Sequence, residues 1–296
     1  MVLGRDGNSL RVLHDGVERI AVLRGKAKRD GDVAVAGDRV RLDPDTLTED
    51  VVGIDGVETR HSLLERQIPG GRGTRAVAAN VDQVAVVTAA AEPAPLLQLI
   101  DRLLVVAEAT EVPACVVVNK IDRGDPQVIR DHLVAAEYPV IAVSARTGEG
   151  MDLLRQTLAG KESVLTGASG VGKSSLLNAL EPGLGLRIGE VSARAGRGTH
   201  TTVAATLIPI AMGGFVVDTP GFSEVGVWAN DPAHLDECFP EFRPAVGNCK
   251  FGDCTHRTEP GCAVRALVES GAAPISRYES YLAIYAELKE QPREWE

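Results

Sequence analysis

The chain has 296 residues, 44% of them hydrophobic, and a net charge of -10, which gives enough apolar material for two or three packed domains and argues against bulk, non-specific nucleic-acid binding. The opening MVLGRDGNSL lacks a basic segment followed by an apolar run, and no stretch reaches the ~18 apolar residues of a membrane helix; the expectation is a cytoplasmic protein with no membrane partner. Five cysteines, four of them beyond residue 237, fit a local metal site in a reducing compartment better than a disulfide framework, and Cys115 lies in an apolar run that reads as core.

Residues 1–76 contain short β-like runs (SLRVLHDG, RIAVLRG, DRVRL, VVGIDGV) punctuated by Gly, Asp and Pro. This is the pattern of a small β-barrel, expected to be OB-like. Of the three segments, only this one balances Lys and Arg against Asp and Glu. Arg24, Lys26, Lys28 and Arg29, then Arg60, Arg66, Arg72 and Arg75 near the glycine-rich PGGRGTR, sit where the loops of such a barrel would track the phosphates of RNA. A solvated β-domain with ordinary charged loops is the alternative.

From Val81 onward, apolar runs alternate with helical stretches, the signature of an α/β domain with a mostly parallel sheet, expected over 77–226. The strand PACVVV ends in Asn119-Lys120-Ile121-Asp122. A carboxylate here, Asp122, can accept from the ring and exocyclic N–H groups of guanine, a donor pattern adenine lacks. In the GTPase families this motif resembles, the Asn119 side chain braces the loop and Lys120 lies along the base. Ser144-Ala145-Arg146, after YPVIAV, looks like a second base-contacting loop offering a backbone N–H to the guanine oxygen.

The helical MDLLRQTL then leads through AGKES to Gly167-Ala168-Ser169-Gly170-Val171-Gly172-Lys173-Ser174, a P-loop placed between a strand and the helix that Ser175 continues. Small residues let backbone N–H groups wrap phosphates at a helix N-terminus, with Lys173 on the β/γ-phosphates and Ser174 on Mg²⁺. Asp218-Thr-Pro-Gly221 ends the strand GFVV and resembles the DxxG element, in which Asp218 holds Mg²⁺ through water and Gly221 senses the γ-phosphate. Upstream, GRGTHTTV supplies the first-switch threonines: by resemblance Thr202 takes the Mg²⁺ contact, with Thr201 as the alternative. Each short signal sits at a strand C-terminus, where open α/β sheets bind ligands.

Residues 227–296 form a third module, closed by the helix RYESYLAIYAELKE with one buried face. Cys249, Cys254, His256 and Cys262, spaced C-x4-C-x-H-x5-C, offer three thiolates and an imidazole, the ligand set of a closed structural zinc site. In so small a segment one Zn²⁺ would substitute for a core.

Ras-like GTPases read P-loop, switch Thr, DxxG, NKxD, SA; this chain reads NKID, SAR, GASGVGKS, THTT, DTPG. The cyclic order is kept and the cut has moved, so the second switch runs directly into the zinc module. With the N-terminal barrel, GVGKSSLLN, and NCKFGDCTHRTEPGCAV, essentially the whole chain resembles the bacterial ribosome small-subunit-dependent GTPase A (RsgA) family. That resemblance implies a GTP-hydrolysing factor, using GTP/GDP and Mg²⁺, that binds rRNA and ribosomal proteins of the small (30S) subunit near the decoding region late in assembly and is stimulated by it. Nothing resembles a dimeric coiled coil, and a monomer is expected. The chain departs from the family's frequent HTTT at Val203. Where Ras-like enzymes carry Gln after DxxG, Phe222 cannot orient a water; the resemblance offers His200 of the first switch for that task, with Lys173 and Thr202 completing the catalytic set. The competing reading is a GTP-gated RNA-binding module in which hydrolysis is incidental. A P-loop kinase acting with ATP is disfavoured by NKID.

Overall fold

A computed structural model of the protein describes residues 1–25, 33–67, 74–184, 205–218 and 232–290. It contains two compact units, Met1–Val84 with Arg155–Leu165 and Ser174–Phe222, and Ala85–Leu154 with Thr166–Lys173 and Ser223–Glu296. Among the described residues no helix is long and apolar enough to cross a membrane.

The first unit opens with β1 (Val2–Asp6), β2 (Ser9–His14), β3 (Val17–Leu23), β4 (Val40–Leu42) and β5 (Val51–Val57), followed by the hairpin β6 (Leu63–Gln67) and β7 (Thr74–Ala79). Alternation dictates the core: Val2, Leu10, Val12, Ala21, Val52 and Ile54 point inward, since successive strand side chains face opposite sides. β2 and β3 join through Asp15-Gly16 with His14 paired to Val17. Both turn residues have positive φ, 49° and 76°, as a two-residue type I′ turn demands. The strands lie in the order β1-β2-β3-β5-β4, with β3 and β5 parallel. The sheet is not closed among the described residues, although the stretch before β4 touches β1: Gly37 N–H donates to the Val2 carbonyl at 2.9 Å and Val2 N–H to the Asp38 carbonyl at 2.8 Å.

Two of the arginines named above have carboxylate partners. Arg60 does not stand free for phosphate: its Nε donates to Oδ1 of the fully buried Asp38 at 2.7 Å, and a second nitrogen donates to Oδ2 at 2.9 Å. Arg24 pairs with Glu49 at 3.4 Å. Lys26, Lys28, Arg29 and Arg72 lie outside the described residues. The unit continues with β11 (Lys161–Thr166), β12 (Thr206–Pro209) and β13 (Gly214–Asp218), in the order β11-β13-β12-β1, β11 and β13 being parallel.

In the second unit β8 (Gln83–Ala89), β9 (Ala114–Asn119) and β10 (Val140–Ala142) lie side by side in the order β10-β9-β8, with β9 and β10 parallel. Their near-continuous Val and Ala content suits strands covered on both faces, and Cys115 is buried among them. Helices α1 (Leu97–Ala109) and α2 (Gln127–Leu133) connect these strands, α3 (Met151–Leu158) precedes β11, and α4 (Lys173–Leu180) follows it. The C-terminal part contains two 3₁₀ helices, Pro232–Cys238 and Pro240–Phe242, then α5 (Ala263–Glu269) and α6 (Ile275–Glu290). Its core is aromatic: Phe239 and Phe242 stack at 5.1 Å, and Tyr281 meets them edge-on at 5.5 and 5.6 Å. Val105 of α1 belongs to the same core.

A buried charge network joins α1, α2 and α6. Arg277, fully buried, donates to both oxygens of Glu241 at 2.5 and 3.0 Å and to Asp101 at 2.5 Å. His132 Nε2 lies 2.9 Å from the same Asp101, and its Nδ1 lies 2.7 Å from Ser276 Oγ. The guanidinium also covers the Phe239 ring at 4.7 Å. Opposite charge on two sides is what makes burial of this cation tolerable.

Candidate nucleotide and metal sites

Asn119 ends β9 and is 2% exposed. Its Nδ2 donates to the Val171 carbonyl at 2.9 Å and its Oδ1 accepts from Ala145 N–H at 3.1 Å. One amide therefore ties the NKID loop to the glycine-rich loop and to the Ser144–Arg146 loop. Lys120, at a φ of 63°, reaches the carbonyls of Gly170, at 2.7 Å, and Glu92. The close approach explains a glycine: a Cβ on Gly172, whose φ is 98°, would lie 2.3 Å from Asn119 Nδ2. Gly167 is as constrained, since its Cβ would fall 1.9 Å from the Val87 carbonyl oxygen.

Asp122 receives the Ser144 hydroxyl on Oδ1 at 2.6 Å and Arg146 Nε on Oδ2 at 2.8 Å. The Ser144 bond, helped by Arg146 and opposed by burial, holds the carboxyl below its ordinary range. An ionised carboxylate is acceptor-only, the property needed to receive two N–H donors. Gly167 to Gly172 form the loop after β11, with Ala168 half-buried and Ser169 and Gly170 exposed. Lys173 opens α4 and curls back over the loop, donating to the carbonyls of Gly167 at 2.7 Å and Ala168 at 2.9 Å. Ser174, buried, and Ser175, half-buried, occupy the first turn of the same helix. In the first unit, Val164 pairs with Val217, so Asp218 ends β13 at the C-terminal edge of its parallel strand pair. His200, Thr201, Thr202, Gly221 and Phe222 lie outside the described residues.

The second cluster gathers Cys249, Cys254, His256 and Cys262, whose donor atoms all lie within 4.8 Å of one another. His256 Nδ1 is 3.5 Å from Cys249 Sγ and 3.4 Å from Cys262 Sγ, and the two sulfurs are 4.0 Å apart. Tetrahedral edges at ordinary zinc bond lengths are about 3.8 Å between sulfurs and about 3.6 Å between sulfur and nitrogen. The donor set therefore fits Zn²⁺ in chemistry and in size. Backbone N–H groups of Ala263 and Arg265 point at the sulfurs of Cys249 and Cys262, at 3.3 and 3.4 Å. Burial pushes the Cys254 thiol up to about 12.

Sequence reading missed the carboxylates supporting these sites. Glu259 accepts from Thr255 and from the N–H groups of Arg257 and Thr258, closing the loop between Cys254 and Cys262. Only its position inside the cysteine spacing hinted at this.

Comparison with known proteins places these elements. Residues 57–228 match the family described as RsgA GTPase. A protein of Gemmatimonas aurantiaca named small ribosomal subunit biogenesis GTPase RsgA is 47% identical over 275 residues, covering 90% of each chain. The crystal structure of YjeQ from Thermotoga maritima matches with a TM-score of 0.80 at 35% identity, covering 98% of both chains. YloQ, whose structure is described as a circularly permuted GTPase, matches with a TM-score of 0.77 at 27% identity over 99% of this chain and 95% of its own.

Proposed function

Because the chain belongs to the RsgA GTPase family, and is a GTP hydrolase of small ribosomal subunit biogenesis that uses GTP, GDP and Mg²⁺, we propose that its permuted loops form a guanine-nucleotide switch that governs binding to the immature subunit. The observation that carries this reading is the bridging of three loops by Asn119, which supports a site where base and phosphates are read together. In it Asp122 selects guanine, Lys120 and the Ser144-Ala145 loop flank the base, and Gly167–Gly172 wrap the phosphates. Lys173 neutralises the β/γ-phosphates; Ser174 and Thr202 hold Mg²⁺, with Asp218 behind water and Gly221 at the γ-phosphate. His200 positions the attacking water; full subunit-stimulated turnover by His200→Ala, with normal GTP binding, would remove it from that role.

We further infer a domain division at 1–76, 77–226 and 227–296, with a partly open OB-like barrel first. The order β1-β2-β3-β5-β4 and the bonds from Gly37 and Val2 support it. One Zn²⁺ on Cys249, Cys254, His256 and Cys262 fastens the cysteine-rich loop against the aromatic core of the last module. The barrel and the zinc module then grip rRNA and ribosomal proteins near the decoding region, the protein acting as a cytoplasmic monomer. The test is GTP hydrolysis by zinc-replete protein with and without small subunits, large subunits serving as control. Stimulation of at least about tenfold by small subunits alone is expected, the size of an activating group supplied in trans being larger still; equal rates with both subunits would overturn the reading.

A further inference from the structure

His256 presents Nδ1 to the sulfurs of Cys249 and Cys262, leaving Nε2 on the far side of the ring. There it meets Asp236 Oδ2 at 2.9 Å. Asp236 is not in the cysteine-rich loop but in the 3₁₀ helix Pro232–Cys238, 20 residues earlier. The imidazole is 4% exposed and the carboxylate 13% exposed, so water competes weakly for the bond. The backbone is held too. His256 has a φ of 58°, a conformation non-glycine residues rarely adopt without cause. The hydroxyls of Tyr278 and Tyr281 donate to the carbonyls of His256 and Thr255 at 2.6 and 2.9 Å.

We propose that Asp236 is a positioning residue of the metal site: by accepting Nε2–H it holds His256 in the tautomer whose Nδ1 carries the metal-binding lone pair, and it orients the ring toward the sulfurs. Metal-bound histidines generally need such an acceptor, and its loss weakens metal binding about 10–100-fold. The inference rests on the zinc reading above and adds a consequence to it. The bond ties the metal loop to the 3₁₀ helix Pro232–Cys238, 20 residues earlier in the chain.

The experiment uses the full chain. Wild type, Asp236→Ala, Asp236→Asn and His256→Ala are compared for zinc content, for zinc retained against a competing chelator, and for the absorption of the Co²⁺-substituted protein. Wild type is expected to hold one zinc. Asp236→Ala should bind about 10–100-fold more weakly, and Asp236→Asn, whose amide oxygen still accepts from Nε2–H, should lie between. The Co²⁺ bands should stay those of a three-sulfur, one-nitrogen set in Asp236→Asn and lose the nitrogen contribution in His256→Ala. Melting of chelator-treated protein separates the roles: a merely structural bond would lower the melting temperature of metal-free and metal-loaded protein alike. Equal zinc affinity in wild type and Asp236→Ala would overturn the positioning role. Absence of zinc from wild type would instead overturn the zinc reading itself, and the positioning role with it.

Discussion

Asn119 and Val171 lie 52 residues apart in the chain, yet the side-chain amide of the first donates to the carbonyl of the second at 2.9 Å. Replacing Asn119 by Ala leaves that carbonyl and the Ala145 N–H without their partner. An unsatisfied buried group costs about 1–3 kcal/mol. Titration with a fluorescent GDP analogue should show affinity falling at least about tenfold, equivalent to about 1.4 kcal/mol, with far-UV circular dichroism unchanged. Wild-type affinity in this variant would mean the three loops hold their geometry without the amide.

Gly172→Ala attacks the same junction from the other side. The added methyl would lie 2.3 Å from Asn119 Nδ2 at a φ of 98°, so either the loop or the asparagine must move. GDP binding should be lost while the melting temperature falls by only a few degrees, because Ser169 and Gly170 beside it are exposed and Gly172 itself is only half-buried. A variant that binds GDP normally would show that the approach is looser than this geometry requires.

Arg277→Met is expected to destabilise the second unit strongly. It strands Asp101 and Glu241 in the core, and breaking a buried pair costs about 3–5 kcal/mol. Denaturant unfolding should show the midpoint shift, and Arg277→Lys should recover little, since an ammonium cannot serve both oxygens of Glu241 and Asp101 in a planar fork. Unfolding curves that superimpose on wild type would refute the network's importance.

Glu162 gives a pH dependence with a definite sign. Burial pushes its carboxyl up to about 7, against the opposing pull of Arg39 at 3.1 Å, and its Oε2 finds no hydrogen-bond partner among the described residues. A folded-state value above the unfolded one means the folded chain holds the proton more tightly. The stabilisation is therefore complete below the ordinary carboxylate value of 4.5 and is lost as pH rises through about 7. Glu162→Gln cannot ionise, so its stability relative to wild type should rise between pH 5 and 8 in denaturant unfolding. Parallel pH profiles for the two proteins would contradict this.

Much of the site was legible in the chain because its chemistry is local. A P-loop, a carboxylate placed for guanine and a metal loop each need only a few residues at set spacing, and the NKID, Ser144–Arg146 and glycine-rich loops do come together through Asn119. The β-patterned N-terminal segment, the position of α6 and the Cys₃His set followed from period and spacing alone. What only the tertiary structure decided are the partnerships between distant charges. No spacing pairs Arg277 with its partners: Asp101 lies 176 residues away and Glu241 lies 36 away. The bonds from Arg60 to Asp38 and from His256 to Asp236 likewise join residues 22 and 20 apart with no motif to announce them. The reason is physical: spacing encodes which side chains a single turn or loop brings together, whereas the burial that selects an ion pair over solvent is created by packing, and packing has no signature until the elements have met.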